Sequence, residues 1–311
     1  MSLLMRKRTV LAKVETTYGT DPVPTGLANA ILIKNLTVNP IQANMLPRDL
    51  IRPYLGNFQN IVSAAYSKIT FDVELAGSGT AGTAPAYGAL LRACAMSETV
   101  SAGISVTYAP ISAAFESNTL YFNIDGVLHK MLGARGSFSL KLSAQAIPTI
   151  SFTFTGLYGA ATDTAAPTVT LTMWQVPMAV NNINTTGLTL QGYSGIVLSD
   201  LSIDMANAVT FRSLVGGAET VVLTDRKPVG SITFEATTIA AKDWWTSAKT
   251  AALGALAITH GTVAGNKVSI NAPSVQIDTP GYTDKDGIAM LQAKLVVVPY
   301  SGNDELTIVC T

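Results

Sequence analysis

The chain has 311 residues, of which 48% are apolar and only 13% are charged, and its 20 basic and 20 acidic side chains balance. This length allows two ordinary domains, each large enough to bury its own core. The balanced charge argues against a nucleic-acid-binding protein, because neutralising phosphates requires an excess of basic side chains. A surface so poor in charge is suited to burial against further copies of the same chain.

Residues 1–30 predict an arm that lies outside the folded core. The segment Thr16–Pro24 holds turn residues and two prolines, which disfavour a regular element. The basic residues Arg6, Lys7 and Arg8 precede this segment. We expect them to pair with acidic patches of a neighbouring subunit, or else to stay solvated. No apolar signal-peptide core follows them, so we expect the protein to be made and kept in a cytoplasm.

Alternation of apolar and polar residues dominates the rest of the chain and predicts strands bounded by Gly, Pro, Asn and Asp. Many short strands with regular turn signals are typical of sandwiches and barrels. The predicted strands are, in chain order, Ile31–Val38, Ile69–Leu75, Ile104–Tyr108, Thr119–Ile124, Phe138–Leu142, Ile150–Thr155, Ile196–Ile203, Thr220–Leu223, Ile232–Thr237, Lys267–Asn271, Val275–Asp278, Met290–Val297 and Glu305–Val309. Two segments, Pro85–Met96 and Lys242–Leu256, predict helices because their apolar residues recur along one face.

A long apolar insertion precedes two of these strands, at residues 39–68 and 204–228. Each is too long for a hairpin turn and too apolar for a solvated linker. We expect an extended hairpin or loop that buries its apolar side chains against another subunit, although a loop folded back over its own domain also fits the pattern. The residues expected at the contact between subunits are Leu46, Arg48, Asp49, Leu50, Arg52, Tyr54, Phe211 and Arg212.

Three short blocks recur in the same order in both halves of the chain, which indicates an internal duplication. The pairs are Lys68–Asp72 with Ser231–Glu235 and Ala109-Pro110 with Ala272-Pro273, both at an offset of 163, and Asn35–Val38 with Asp200–Ile203 at an offset of 165. The duplication predicts a mainly β chain with two tandem β-sandwich or barrel-like domains, each with one flanking α-helix. We expect the arm at 1–30, the first domain at 31–158, a connector at 159–189 and the second domain at 190–311.

Residues that could carry chemistry are scarce. The two cysteines, Cys94 and Cys310, form no disulfide framework or zinc motif, and the two histidines, His129 and His260, are far apart in sequence. We expect each histidine to be a surface or helix-capping residue. No nucleotide-binding, metalloprotease or nucleophile motif occurs. The sequence therefore predicts no catalytic, cofactor or metal site, and a protein that is not an enzyme.

The segment Tyr282–Ile288 comes nearest to a binding motif. Asp284, Asp286 and Gly287 resemble part of a calcium loop. A complete loop needs six ligand positions and a closing Glu, which are missing. We therefore expect a turn held by local hydrogen bonds. No apolar run reaches the roughly 18 residues that a membrane span needs, so no membrane partner is expected.

The chain resembles the major tail proteins, or tail tube proteins, of long non-contractile-tailed bacteriophages, here with a duplicated tube domain. The resemblance rests on the arm segment Leu11–Pro22, on the order of loop, strand and helix ending in Ala-Pro, and on the segment Gly302–Ile308. Members of this family form six-membered rings of a β-sandwich with one helix, in which strands join into an inner barrel and a long loop reaches the next ring.

This resemblance implies a structural virion protein. Two units in each chain would let three chains close a pseudo-hexameric ring, and stacked rings would form a tail tube that conducts DNA during ejection. The implied partners are copies of the chain and the terminator, tape measure and distal tail proteins, with DNA passing through the lumen without specific binding. The lumen wall is expected to be neutral or acidic.

Two other functions fit the sequence less well. A tail terminator or baseplate ring protein would form one ring and no polymer. A tandem β-sandwich adhesin or carbohydrate-binding protein would need clustered aromatic residues, whereas Trp174, Trp244 and Trp245 are scattered.

Overall fold

The computed structural model describes residues 2–311 and is built mainly from antiparallel strands, which confirms the predicted fold class. The strands of the first half are β1 (Arg8–Val14), β2 (Ala30–Ile31), β3 (Lys34–Leu46), β4 (Ile61–Glu74), β5 (Met96–Ser101), β6 (Ser105–Pro110), β7 (Asn118–Ile124), β8 (Val127–Ser143) and β9 (Thr149–Asp163). Those of the second half are β10 (Thr185–Leu190), β11 (Leu198–Asp204), β12 (Asn207–Arg212), β13 (Thr220–Arg226), β14 (Val229–Glu235), β15 (Leu253–His260), β16 (Val268–Lys285), β17 (Ile288–Val297) and β18 (Thr307–Cys310). The helices are α1 (Gly26–Asn29), α2 (Gly88–Arg92) and α3 (Trp244–Lys249).

The two halves of the chain share one strand order. Neighbouring strands run β1-β7-β8-β9-β4-β3 in the first half and β10-β15-β16-β17-β14-β11 in the second. The registers agree as well, since Lys68 lies opposite Asn39 and Thr155 while Ser231 lies opposite Ser202 and Lys294. The halves meet where β11 pairs with the second part of β8.

Two of the three sequence matches do not align equivalent positions. Ala109-Pro110 ends β6, whereas Ala272-Pro273 lies inside β16, the counterpart of β8. The match of Asn35–Val38 with Asp200–Ile203 is two residues out of register. Val38 lies opposite Ile69, and the residue opposite the equivalent Ile232 is Leu201, not Ile203. Strand pairing, which gives a single offset of 163 for β3 and β4, is the better guide.

Both main helices are far shorter than predicted. A residue in the left-handed conformation follows each one, Ala95 (φ 62°) after α2 and Ala251 (φ 52°) after α3, and such a residue ends a helix. The Ala-rich segment after Ala251 forms β15 instead, because it pairs with β10 and β16. The tertiary pairing overrides the helical propensity of alanine.

The expectation that residues 1–30 lie outside the core is wrong for β1. This strand pairs along its whole length with β7, and Val10, Leu11 and Ala12 are buried. The connector also packs closely, since the Trp174 indole donates to the carbonyl of Ala30 at 3.0 Å. Its first residues continue β9 and do not leave the sheet.

Candidate assembly surfaces

The hairpin formed by β3 and β4, called hairpin 1 here, projects a long apolar tip at residues 47–60. The side chains of Ile51 and Leu55 are fully exposed, at 103% and 100%, and Leu50 and Tyr54 are more than half exposed. Monomeric proteins rarely expose so many clustered apolar side chains, so the tip has the composition of a contact surface. The Arg52 guanidinium lies 4.6 Å from the ring centre of Tyr54, which orders part of the tip.

The structure places six of the predicted contact residues at this tip or at the end of β3 that leads into it. They are Leu46, Arg48, Asp49, Leu50, Arg52 and Tyr54. The prediction omitted Ile51 and Leu55, the two most exposed large apolar side chains of the tip. Both residues could have been predicted from the sequence, because they are apolar and lie in the same insertion as the residues that were chosen.

The hairpin formed by β12 and β13, called hairpin 2, holds the other two predicted contact residues. The ring of Phe211 stacks on Tyr66 of β4 with centroids 5.1 Å apart, so it already has a partner within the chain. Arg212 is exposed beside the tip, where Leu214 and Val215 are exposed at 61% and 108%. Hairpin 2 therefore lies over the first half of its own chain and presents its tip outward.

Polar anchors fix hairpin 2 to the first half. The Arg135 guanidinium donates to the carbonyls of Phe115, at 2.7 Å, and Val221, at 2.8 Å. The backbone N–H of Val221 donates to the Tyr18 hydroxyl at 2.6 Å, and burial raises the pKa of this phenol. These bonds tie the N-terminal region, β8 and β13 together.

A buried carboxylate secures the chain after β1. Glu15 is 7% exposed and accepts hydrogen bonds from the Ser117 and Thr119 hydroxyls and from the backbone N–H groups of Gly19 and Gly133, at 2.6 to 2.7 Å. Four donors satisfy the charge, which makes its burial tolerable. The segment predicted as a loose arm is thus held firmly by its own domain.

The basic residues of the N-terminal region lie near a turn of the same chain. The Lys7 ammonium is 3.6 Å from the Asp125 carboxylate, with the lysine side chain 66% exposed. Arg8 lies in β1 opposite Ile124, and Arg6 is exposed. Contacts of Arg6, Lys7 and Arg8 with a neighbouring subunit stay a prediction.

Two of the strand edges left open by residues 2–311 have a counterpart that is paired at the junction of the halves. β3 pairs with β4 alone, whereas its counterpart β11 also pairs with β8. Between Gly281 and Lys285, β16 pairs with β17 alone, whereas its counterpart β8 also pairs with β11. Open strand edges offer unpaired backbone groups to another strand, so both are candidate contact surfaces.

The sheet that carries these edges has one face in the core and one polar face. Ile69, Phe71 and Phe154 are buried, and serines and threonines dominate the opposite face. The charged residues that alternate with the buried positions are Lys34, Lys68, Lys141 and Lys294 and the more numerous acids Asp72, Glu74, Asp200, Asp204, Glu235 and Asp278. This face is mildly acidic.

The residues weighed for chemistry have structural roles. His260 is 3% exposed, so its expected surface position is wrong. Its ring donates from Nε2 to the Met178 carbonyl at 3.1 Å and accepts at Nδ1 from the Thr185 hydroxyl at 2.8 Å, and burial lowers its pKa. His129 stacks on Phe122 within β7 and β8.

The segment that resembles a calcium loop forms the turn between β16 and β17. The backbone N–H of Gly287 points to the Asp284 carboxylate at 3.4 Å. Residues 2–311 contain no group of three or more His, Cys, Asp or Glu side chains that could hold a metal ion. None of their helices has the length and apolar character of a membrane span.

Comparison with models of protein families gives a match over nearly the whole chain. A model of a family described as phage tail tube protein matches residues 5–300, almost the whole chain. No curated protein matches. The matched region includes both hairpins and both open strand edges. The chain therefore belongs to the phage tail tube protein family and is a structural component of a bacteriophage tail.

Proposed function

We propose that three copies of this chain close into a pseudo-hexameric ring and that the rings stack into the tail tube, through which DNA leaves the virion. The observation that carries the proposal is the junction of β8 with β11. It joins two equivalent units within the chain, and the same two edges, β16 and β3, are open at the ends of the pair. Repetition of this junction around an axis closes a ring and pairs both of these edges.

The internal junction supplies a register for the contact between chains. Within the chain, Ser202 lies opposite Lys141. Asn39 is the counterpart of Ser202, because Asn39 lies opposite Lys68 and Ser202 lies opposite the equivalent Ser231. Lys285 is the counterpart of Lys141, because the two residues lie opposite equivalent positions of β17 and β9. Asn39 of one chain therefore faces Lys285 of the next.

Charge supports the same contact. Residues 161–311 hold eight basic and twelve acidic side chains, whereas residues 31–160 hold eight basic and six acidic ones. A ring in which the second unit of one chain meets the first unit of the next joins a unit of net negative charge to one of net positive charge. Such complementarity favours the correct pairing over contacts between like units.

Stacking along the tube uses the tip of hairpin 1, with Arg212 and the tip of hairpin 2. Burial of apolar side chains such as Leu50 and Leu55 against the next ring removes them from water, at about 25 cal/mol for each Å² of apolar surface. The terminator, tape measure and distal tail proteins are the further partners expected at the ends and in the lumen of the tube.

The polar face of the sheet lines the lumen in this proposal. Its serines, threonines and slight excess of carboxylates repel a phosphate backbone weakly and give no fixed binding sites, so DNA passes without being held. The role is passive and needs neither a cofactor nor catalysis. The protein is made in the host cytoplasm and assembled there.

Negative-stain electron microscopy of concentrated purified protein tests the proposal. We expect tubes made of stacked rings. Single rings that never stack would instead support a tail terminator or baseplate ring protein, and monomers alone would contradict both.

A further inference from the structure

The strand β18 fills a slot between the two halves of the chain. Ile308 lies opposite Ile270 of β16 on one side and opposite Tyr108 of β6 on the other. The side chains of Leu306, Ile308 and Cys310 are at most 3% exposed. The sheet passes through this strand from the second half to the first, so β18 connects the halves independently of the junction between β8 and β11.

A buried ion pair ties the residues before β18 to hairpin 2. The Arg226 guanidinium of β13 donates to Oε1 of Glu305 at 2.9 and 2.7 Å, and to the carbonyl of Ile111 at 2.8 Å. The two charged side chains are 12% and 7% exposed. This ion pair at the base of hairpin 2 exists only while Glu305 is in place, whereas the bond from Arg226 to Ile111 does not depend on it.

The tether to this segment forms a turn in which the backbone N–H groups of Tyr300 and Ser301 donate to the Asp304 carboxylate at 2.9 and 2.8 Å. Residues 299–302 are exposed, and the Tyr300 side chain is 79% exposed. Residues 303–311 are held by the strand pairing on both sides of β18, by the buried side chains of β18 and by the Arg226–Glu305 pair. A slot that holds a strand mainly by backbone hydrogen bonds and side-chain pockets can accept that strand as a separate peptide.

We propose that residues 303–311 act as a separable lock: the slot between β16 and β6 binds this segment as an added strand, and its occupancy supplies the Arg226–Glu305 contact that completes the anchoring of hairpin 2 needed for assembly. The slot is a binding site for an extended peptide of alternating apolar pattern with an acidic residue before it. The consequence for assembly rests on the proposed function, whereas the binding itself does not.

The test begins with a protease site placed in the full chain at residues 299–302. After cleavage we expect the released segment to co-elute with the body of the protein on size exclusion. A fluorescent synthetic peptide of residues 303–311 should exchange into the slot on mild warming, and the matched peptide with Ile308→Asp should not. Loss of the segment on cleavage, or equal binding of the two peptides, would overturn the lock.

A second step separates the lock from the function. In the intact chain, Arg226→Lys should lower tube yield while leaving β18 in its slot. Normal tube yield from Arg226→Lys would refute the coupling to assembly. If the intact protein never assembles but the peptide still binds specifically, the proposed function is refuted and the peptide-binding site is confirmed.

Discussion

The ring of Phe211 stacks on the ring of Tyr66 with centroids 5.1 Å apart and an angle of 25° between the planes, so hairpin 2 is packed against β4 of hairpin 1. Such a pair contributes about 0.5–1.5 kcal/mol beyond area burial. A double-mutant cycle with Phe211→Ala and Tyr66→Ala, measured by urea unfolding, should give a coupling energy in that range. Strictly additive effects would show that the two hairpins do not support each other.

Leu50→Asp should abolish tubes and leave the monomer folded. The side chain is 51% exposed within the chain, so the change should alter the free energy of unfolding by no more than about 0.5 kcal/mol. In a stacked tube the new carboxylate would lie buried without a partner. Electron microscopy measures the tubes and urea unfolding measures the monomer. Leu27→Asp, at a leucine that is 69% exposed on α1, is the matched control. Normal tube yield from Leu50→Asp would refute the role of the tip.

Cysteines at Asn39 and Lys285 should form disulfides between chains. Directly opposed residues of antiparallel strands have Cα atoms about 4.5–5.5 Å apart, within the range of a disulfide. Burial raises the pKa of the Cys310 thiol to about 11 and that of Cys94 well above its usual value, so the native thiols stay unreactive. Oxidised tubes should therefore yield a covalently closed trimer on a denaturing gel.

The control for this cross-link carries cysteines at positions 68 and 285 and keeps Asn39. Lys68 lies opposite Asn39 on β4, one strand further from the edge, and its cysteine is too far to reach Lys285→Cys. A cross-link from this control, or none from the Asn39 variant in assembled tubes, would refute the proposed register.

Acid should weaken the fold through His260. Burial lowers the pKa of its imidazole in the folded chain, and the neutral ring donates to Met178 and accepts from Thr185. The unfolded chain takes up a proton near pH 6.5, so this contribution is complete above that pH and is lost as the pH falls below it. Urea unfolding at pH 7.5 and 5.5 should show a smaller loss of stability in His260→Gln. An equal loss would exclude this histidine as the cause.

The alternation of apolar and polar residues was enough to predict the core strands but not their lengths. β16 continues through Pro273 and Pro280, where the sequence predicts breaks, because the register shifts at both places and a bulge needs no N–H from proline. Gly133 (φ 55°) permits a similar bulge in β8, where a Cβ would lie 2.7 Å from the Tyr18 ring. Long bent strands are visible only once their partners are known.

The candidate contact surfaces were only partly predictable. Apolar content marked the tip of hairpin 1 directly, since a long insertion with Leu50 and Tyr54 has no core of its own to fill. Phe211 belonged to the same kind of pattern, yet it packs within the chain because hairpin 2 folds over β4. The open edges of β3 and β16 could not be predicted from residue types, because an open edge consists of unpaired backbone groups.

Electron cryo-microscopy of assembled tubes tests the central claim most directly. A reconstruction should show three chains in each ring, with β3 of every chain paired to β16 of its neighbour so that the wall of the lumen is continuous. Rings of six chains, or walls in which these two edges stay apart, would contradict the account.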